Sequence, residues 1–306
     1  MQTQAPSIAE IFGPAAWHSD GRDVATHLAD QMQTHHWHVN DLSWNTLPPL
    51  PIPADGDMRR LVRFYKSVVR VQTRAEEIAV SIARRLLVYA NGEHLALPFR
   101  RALASLLNDE ASHVASMLKL EMLTDAAYPN IASRPGESPL FEALMPAIEQ
   151  LEPAVLAIFM GSYEASVAIR SYQEQQTYRM PSILAEMGAH AAEDDGRHAK
   201  TLRIIAQEFL HLFRERHGDD DDGRSPVWRA KILEPFTKYW SLMPAHEYFL
   251  AGSDPRQLSH VRQLVAHDIT LMKRILDFLA VSPGAQAYAR VEAIAQTDPS
   301  KDGKRA

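Results

Sequence analysis

The feature that most constrains the fold of this chain is a succession of long helical segments that few residues interrupt. Strand-like alternation bounded by turn residues does not occur, and 13 glycines in 306 residues leave few places for tight turns. The clearest stop signal, Asn91-Gly92, separates a segment at about Met58 to Tyr89 from one at about Leu97 to Leu123. The sequence therefore predicts an all-α protein.

A second helical hairpin is predicted after a loop at 127–139. Its first helix ends near Met180, and Pro146 and Pro153 break or kink the early part. Pro181 suits the first turn of the next helix, which continues to about residue 217. Two hairpins of long helices indicate a four-helix bundle core at about 57–217.

The remaining segments are expected to add to one domain that spans residues 1–306. The Pro-rich stretch at 47–56 and the acidic run at 219–223 are predicted loops, and the tail at 297–306 is predicted to be disordered. The predicted helices outside the core lie at about 21–36, 226–243 and 255–281, the last two within a C-terminal extension at 226–296.

Composition excludes several classes of function. The chain has no cysteine, which rules out disulfides, thiolate-bound zinc and iron–sulfur clusters on its own residues. A net charge of −6 does not favour nucleic acid or an anionic membrane as partner. The first residues do not read as a signal peptide, and no apolar stretch approaches the roughly 20 residues of a membrane span. We therefore expect a cytoplasmic protein.

Two places carry an acidic residue followed three residues later by histidine. They are Glu110 with His113 and Asp195 with His198. Three residues make nearly one helical turn, so both side chains of a pair share a helix face. The preceding helix of each hairpin carries an acid among apolar residues, namely Glu77 and Glu164.

The spacing of these acids indicates whether the two acids of each hairpin can lie side by side. Residues at equal distance from an antiparallel turn meet at the same height. The midpoint between Glu77 and Glu110 falls beside Asn91-Gly92, and the midpoint between Glu164 and Asp195 falls beside Met180-Pro181. Two facing hairpins would then bring four carboxylates and two imidazoles together, which is the ligand set of dinuclear carboxylate metal sites. Such donors suit iron or manganese.

Several neighbouring residues leave alternatives open. Glu76 could replace Glu77, although the Glu-x-x-Val frame shared with Glu164 favours Glu77, and Asp194 could replace Asp195. Otherwise Glu193 and Asp194 are expected to be solvated or to support the ligands. Asp109 is a candidate to hydrogen-bond a ligating histidine across the bundle, and Arg197 either neutralises surplus acid or lies at the surface.

Histidines outside the pairs are harder to place. His190 precedes His198 by about two turns. It could be a third imidazole ligand, or equally a histidine of the core or surface that does not bind metal. The histidines of the aromatic entry segment are not expected to be ligands. They are His35, His36 and His38.

At these residues the chain resembles the ferritin-like di-iron oxygenases and, within them, the family of p-aminobenzoate N-oxygenase. The resemblance covers roughly residues 30–215. It is carried by HHWHVNDLSW at 35–44, NDEASH at 108–113, and the segment from Pro181 to His198. It implies a ferritin-like four-helix bundle core with additional N- and C-terminal helices.

The resemblance also implies the ligands of two iron ions, with no catalytic side chain beyond them. These ligands are Glu77, Glu110, His113, Glu164, His190, Asp195 and His198. Two positions differ from the family pattern, because Asp195 stands where the family has Glu and His190 lies one residue farther from the acid. A local helix bulge could absorb that extra residue.

The implied activity is oxygenation of an amine nitrogen by O2, which gives a hydroxylamine, nitroso or nitro product. The expected partners are a small-molecule amine, free or carrier-bound, and an external electron donor, with a homodimer as an open alternative. Manganese remains an alternative to iron. Other hypotheses are a di-iron hydroxylase or acyl desaturase acting at carbon, a non-catalytic iron- or manganese-binding bundle, and a helical interaction module without metal.

Overall fold

The structure, a computed structural model, describes residues 21–34, 44–50, 56–177, 182–218 and 225–251, with residues 265, 266 and 270. Within these residues the protein is helical and has no strand, which confirms the predicted all-α class. The helices are α1 (Gly21–Thr34), α2 (Met58–Gly92), α3 (Leu97–Ala127), α4 (Pro139–Leu144), α5 (Pro153–Thr177), α6 (Ser182–His217), α7 (Pro226–Trp228), α8 (Glu234–Trp240) and α9 (Met243–Ala251).

Four long helices form two hairpins. Helix α2 packs along α3, and α5 packs along α6. The first turn follows the predicted stop at Asn91-Gly92, where His94 adopts a φ of 53° and reverses the chain. Helix α3 then begins at Leu97 with Pro98 in its first turn, where a missing N–H costs nothing. The second predicted turn, at 178–181, lies outside the described residues.

The two hairpins share one hydrophobic core. Helix α5 is its central element, because nearly all of its side chains from Ala154 to Ser166 are buried. Gly161 allows α5 to approach α6 closely, since a Cβ at this position would lie 3.0 Å from the Cβ of Leu202. Helix α1 packs mainly on α3 and also contacts α6. This packing fixes the height of α5 relative to α6, where two of the predicted acids lie.

The helices after the bundle differ from the predicted single helix at 226–243. Helix α7 is followed by a π-helical segment, Arg229–Leu233, before α8 begins at Glu234. Pro235 has no N–H to offer the carbonyl of Lys231, so the regular hydrogen-bond ladder cannot continue there. A 3₁₀ turn at Met145–Ala147 separates α4 from α5, in agreement with the predicted break near Pro146 and Pro153.

Some predictions fall outside the described residues, namely the entry segment at 35–43, most of the predicted helix at 255–281, and the tail at 297–306. Among the described helices, none is both long enough and apolar enough to cross a bilayer.

Candidate metal centre

Six acidic and histidine side chains from four helices converge in the bundle core. They are Glu76 on α2, Glu110 and His113 on α3, Glu164 on α5, and Asp195 and His198 on α6. All are buried except Glu76, whose side chain is 17% exposed. Glu76 and Glu110 lie at similar distances along the chain from the turn that follows Asn91-Gly92, close to the spacing predicted for the first hairpin.

The first part of the cluster consists of Glu76, Glu110 and His113. Each offers one ligand atom, and these atoms all lie within 4.8 Å of one another. The Nδ1 atom of His113 is 3.5 Å from Oε2 of Glu76 and 3.7 Å from Oε2 of Glu110. Two carboxylates and an imidazole at this separation could hold a metal ion.

The second part consists of Glu110, Glu164 and His198, whose ligand atoms lie equally close together. The Nδ1 atom of His198 is 2.9 Å from Oε1 of Glu110 and 4.0 Å from Oε2 of Glu164. Glu110 therefore belongs to both parts, with one oxygen facing each imidazole.

Asp195 adjoins the second part. Its side chain is buried, and Glu164 is the neighbouring charge that acts on it most strongly. Its Oδ2 atom has no hydrogen-bond partner. The acid-x-x-His spacing places Asp195 one turn before His198, so both side chains are directed to the same region of the core.

Unpartnered buried atoms test whether these residues fit a metal. Both carboxylate oxygens of Glu110, Oδ2 of Asp195 and Nδ1 of His198 are buried without a hydrogen-bond partner of suitable geometry. Leaving such atoms unpaired costs about 1–3 kcal/mol each, and more for charged groups. All of these atoms are of the type that coordinates iron or manganese, so a bound cation would satisfy them.

The electrostatics of the carboxylates point the same way. Burial raises the pKa of Glu164 and Asp195 well above the ordinary carboxyl value, and the charge of a neighbouring acid adds to the rise. Burial also raises the pKa of Glu76. Burial alone would raise the pKa of Glu110 as well, but His198 and His113 lower it below the ordinary value. Without cations, the cluster therefore retains protons that metal binding would displace.

The two imidazoles respond to the same acids. Burial alone would lower the pKa of both histidines. The neighbouring carboxylates of Glu110 and Glu76 instead raise the pKa of His113 well above its ordinary value. Glu110 and Asp109 raise the pKa of His198 to about 9. In the absence of a cation, the neighbouring acids therefore favour the protonated form of both imidazoles.

A second layer of aspartates crosses between α3 and α6. Nε2 of His198 is 3.4 Å from Oδ2 of Asp109, as predicted for that residue, and Nε2 of His113 is 3.1 Å from Oδ2 of Asp194. Each imidazole on one helix is thereby held by an aspartate on the other. Such outer hydrogen bonds fix the ring orientation and strengthen the ligand.

The Asp194–His113 contact has a signal in the sequence beyond the spacing of the acids and histidines. In both acid-x-x-His pairs an aspartate directly precedes the acid, as Asp109-Glu110 and Asp194-Asp195, so the role predicted for Asp109 applies to Asp194 by position. Asp194 also forms an ion pair with Arg197 on the next turn of α6, so Arg197 neutralises buried acid. Glu193 is exposed, in keeping with the solvated role predicted for it.

The position of Glu77 corrects the choice between Glu76 and Glu77. The side chain of Glu77 is 42% exposed and pairs with Arg74 at 2.7 Å, outside the cluster. Seven-residue spacing explains why, because it keeps residues near one helix face. Glu76 shares this spacing with the buried Val62, Val69, Ala83 and Ala90. Glu77 shares it with the exposed Arg63, Arg70, Arg84 and Asn91. The Glu-x-x-Val pattern favoured Glu77 wrongly, because a pattern shared by two helices does not show which face of either helix is turned toward the core.

His190 also lies away from the cluster. Its side chain is exposed, and it belongs to neither group of ligand atoms. Helix α6 is α-helical from Ser182 to His217, without the bulge that would rotate His190 inward. Eight residues correspond to about 2.2 turns, so His190 points roughly 80° away from His198. The structure thus brings together six of the candidate donors, with Glu76 in place of Glu77.

Neither the protein-family models, nor the curated proteins, nor the solved structures give a match to this chain. The residues of the cluster and their chemistry are therefore the basis on which a function can be proposed.

Proposed function

We propose that this protein is a non-haem di-iron oxygenase that uses O2 to oxygenate the nitrogen of a small-molecule amine. The observation that carries the proposal is the position of Glu110, whose two oxygens face two imidazoles from different helices. A carboxylate with a histidine on each side could hold two cations, one beside each imidazole. Carboxylate and imidazole donors in a cysteine-free chain favour iron or manganese.

The residues around the cluster would bind, orient and shield the metal. Glu76, Glu110, Glu164 and Asp195 supply four negative charges, which balance two divalent cations. Asp109 and Asp194 hold the two imidazoles in orientation. The buried core keeps bulk water away from the centre. When bound, two ferrous ions would supply the redox chemistry that O2 activation requires.

The proposed reaction needs electrons from outside the chain. Converting an amine to a hydroxylamine with O2 inserts one oxygen atom into an N–H bond and reduces the other atom to water. This consumes two electrons and two protons for each turnover. The chain has no cysteine for an iron–sulfur cluster of its own, so we propose an external electron donor.

The choice of nitrogen rests on the resemblance to the N-oxygenase family. Two of its three stretches lie in the described residues and surround the cluster, namely NDEASH at 108–113 and the end of the Pro181–His198 segment. The exposed position of His190 removes one element of that resemblance. Oxygenation at carbon is therefore the outcome that the assay must distinguish.

The test begins with anaerobic reconstitution with Fe(II), followed by metal analysis. The loaded protein then receives O2, a chemical reductant with mediator, and a panel of aromatic and aliphatic amines. We expect about two irons per chain. With isotopically labelled O2, mass spectrometry should show labelled oxygen on nitrogen.

Matched variants make the result specific. Glu110→Gln should lose iron and product formation, whereas Glu77→Gln should retain both, because Glu77 lies outside the cluster. Labelled product oxygenated only at carbon would favour a hydroxylase, and iron binding without any oxygenated product would favour a binding protein. No iron in the wild-type protein after reconstitution would refute the proposal altogether.

A further inference from the structure

We infer that the two metal positions are unequal, so that an inner position fills first and an outer position fills second and exchanges more readily. The inner position is formed by Glu110, Glu164 and His198, with Asp195 beside Glu164. The outer position is formed by Glu76, Glu110 and His113. This inference rests on the proposal that two ions occupy the cluster.

A nearby carboxylate separates the positions. Each position draws on two carboxylates and one imidazole, with Glu110 shared between them, and the buried Asp195 neighbours Glu164 of the inner position. Each additional carboxylate adds a negative charge and an oxygen donor. Because the surroundings are buried, Coulomb attraction is screened less there than in water. The inner position therefore attracts a divalent cation more strongly.

Burial separates the positions in the same direction. The side chain of His198 is 0% exposed, and Glu164 and Asp195 are also buried. On the outer side, Glu76 is the most exposed donor of the cluster. Water can reach the outer ligands more easily, so an ion there exchanges faster and keeps more of its coordination sphere for solvent or substrate.

The second layer does not account for the difference. Each imidazole has one aspartate behind it at similar distance, Asp194 for His113 and Asp109 for His198. The asymmetry comes from the buried charge of Asp195 beside the inner position and from the greater exposure of Glu76 at the outer one. Removing an outer ligand should consequently spare the inner ion, and removing an inner ligand should not leave a tight site.

Anaerobic titration with Co(II), followed by its visible absorption and by equilibrium dialysis, tests the order of filling. Wild-type protein should bind two ions in two phases with dissociation constants at least about tenfold apart, which corresponds to only ~1.4 kcal/mol. Glu76→Gln should lose the weak phase and keep one tightly bound ion. Glu164→Gln should lose the tight phase. Glu77→Gln, the neighbouring control, should titrate as wild type.

Two outcomes would overturn the inference. One is a single phase of two equivalent ions in the wild type, and the other is loss of both ions in Glu76→Gln while circular dichroism shows intact helices. The readout is metal binding alone, so it is independent of the oxygenase assay. Two-step binding without amine oxygenation would keep this inference and refute the proposed reaction, and product formation with equivalent sites would do the reverse.

Discussion

Gly161 of α5 faces Leu202 of α6 so closely that a methyl group at position 161 would be 3.0 Å from the Cβ of Leu202. The backbone carbonyl of Ala199 is also within 3.5 Å of that methyl position. Glu164 lies about one turn after Gly161, and His198 and Asp195 lie about one to two turns before Leu202. The contact therefore sets the spacing between the two helices that supply Glu164, Asp195 and His198 to the candidate metal centre.

Gly161→Ala should destabilise the protein and weaken metal binding. The added methyl group forces α5 and α6 apart, and overpacking of this kind costs about 1–3 kcal/mol. Urea unfolding of the metal-free protein and Co(II) titration measure the two effects. Gly92→Ala is the matched control, because no atom lies within 4 Å of a methyl group there. Equal stability of the two variants would show that the helices tolerate the separation.

Asp194→Asn and Asp109→Asn should each weaken metal binding about 10- to 100-fold, since outer hydrogen bonds orient the ligating imidazoles. Competition with a chromogenic chelator measures the affinity. Glu193→Gln is the control, because Glu193 is exposed on the same helix as Asp194. If both asparagine variants bind metal as the wild type does, the aspartates have no part in holding the imidazoles.

The metal-free protein should lose stability as pH rises from about 6.5 to about 9. The pKa of His198 is raised from 6.5 to about 9 in the folded protein, and those of His113, Glu164 and Asp195 are also raised. The folded state then binds more protons than the unfolded state, so stability is highest at low pH in this window and falls through the folded pKa.

Bound metal should reverse the pH dependence of stability. The metal takes the place of the protons on the ligand atoms, and protons compete with it less as pH rises. Thermal unfolding with a chelator and with Co(II) across the window measures both curves. Their separation should widen towards high pH. A metal-free melting temperature that rises over the same window would contradict the raised pKa values.

His190→Ala should retain the metal content of the wild type, whereas His198→Ala should lose at least one ion. The first side chain is exposed and the second is completely buried beside Glu110. Metal analysis after identical reconstitution and gel filtration gives the comparison. Loss of metal in His190→Ala would mean that α6 rearranges when the cation binds.

The bundle and the level of the cluster were predictable from local chemistry. Stop signals at Asn91-Gly92 fixed the first hairpin, and acid-x-x-His spacing placed each pair on one helix face. Height in an antiparallel hairpin depends mainly on distance from the turn, and the structure brings Glu110 and Glu164 together, with Asp195 beside Glu164, as expected.

Rotation about the helix axis was harder to predict. The choice between Glu76 and Glu77 depends on which face of α2 is turned toward the core. The short Glu-x-x-Val pattern could not decide this, whereas the seven-residue spacing of the buried residues along α2 would have favoured Glu76. A metal-ligating position for His190 would have required a bulge in α6, and no residue in the sequence indicates such a bulge. Pro235 is visible in the sequence as a residue that interrupts helical hydrogen bonding. That the interruption takes the form of a π-helical segment depends on how the neighbouring turns adjust.

The crossed aspartates also govern when the centre can be completed during synthesis. A nascent chain that ends after α3 has made Glu76, Glu110 and His113, but the aspartate that orients His113 is Asp194, far downstream on α6. Both hairpins must therefore be synthesised before either imidazole can contact its aspartate. A truncated product would carry Glu76, Glu110 and His113 without the aspartate that holds His113 in orientation, so the complete cluster can form only after α6 has been made.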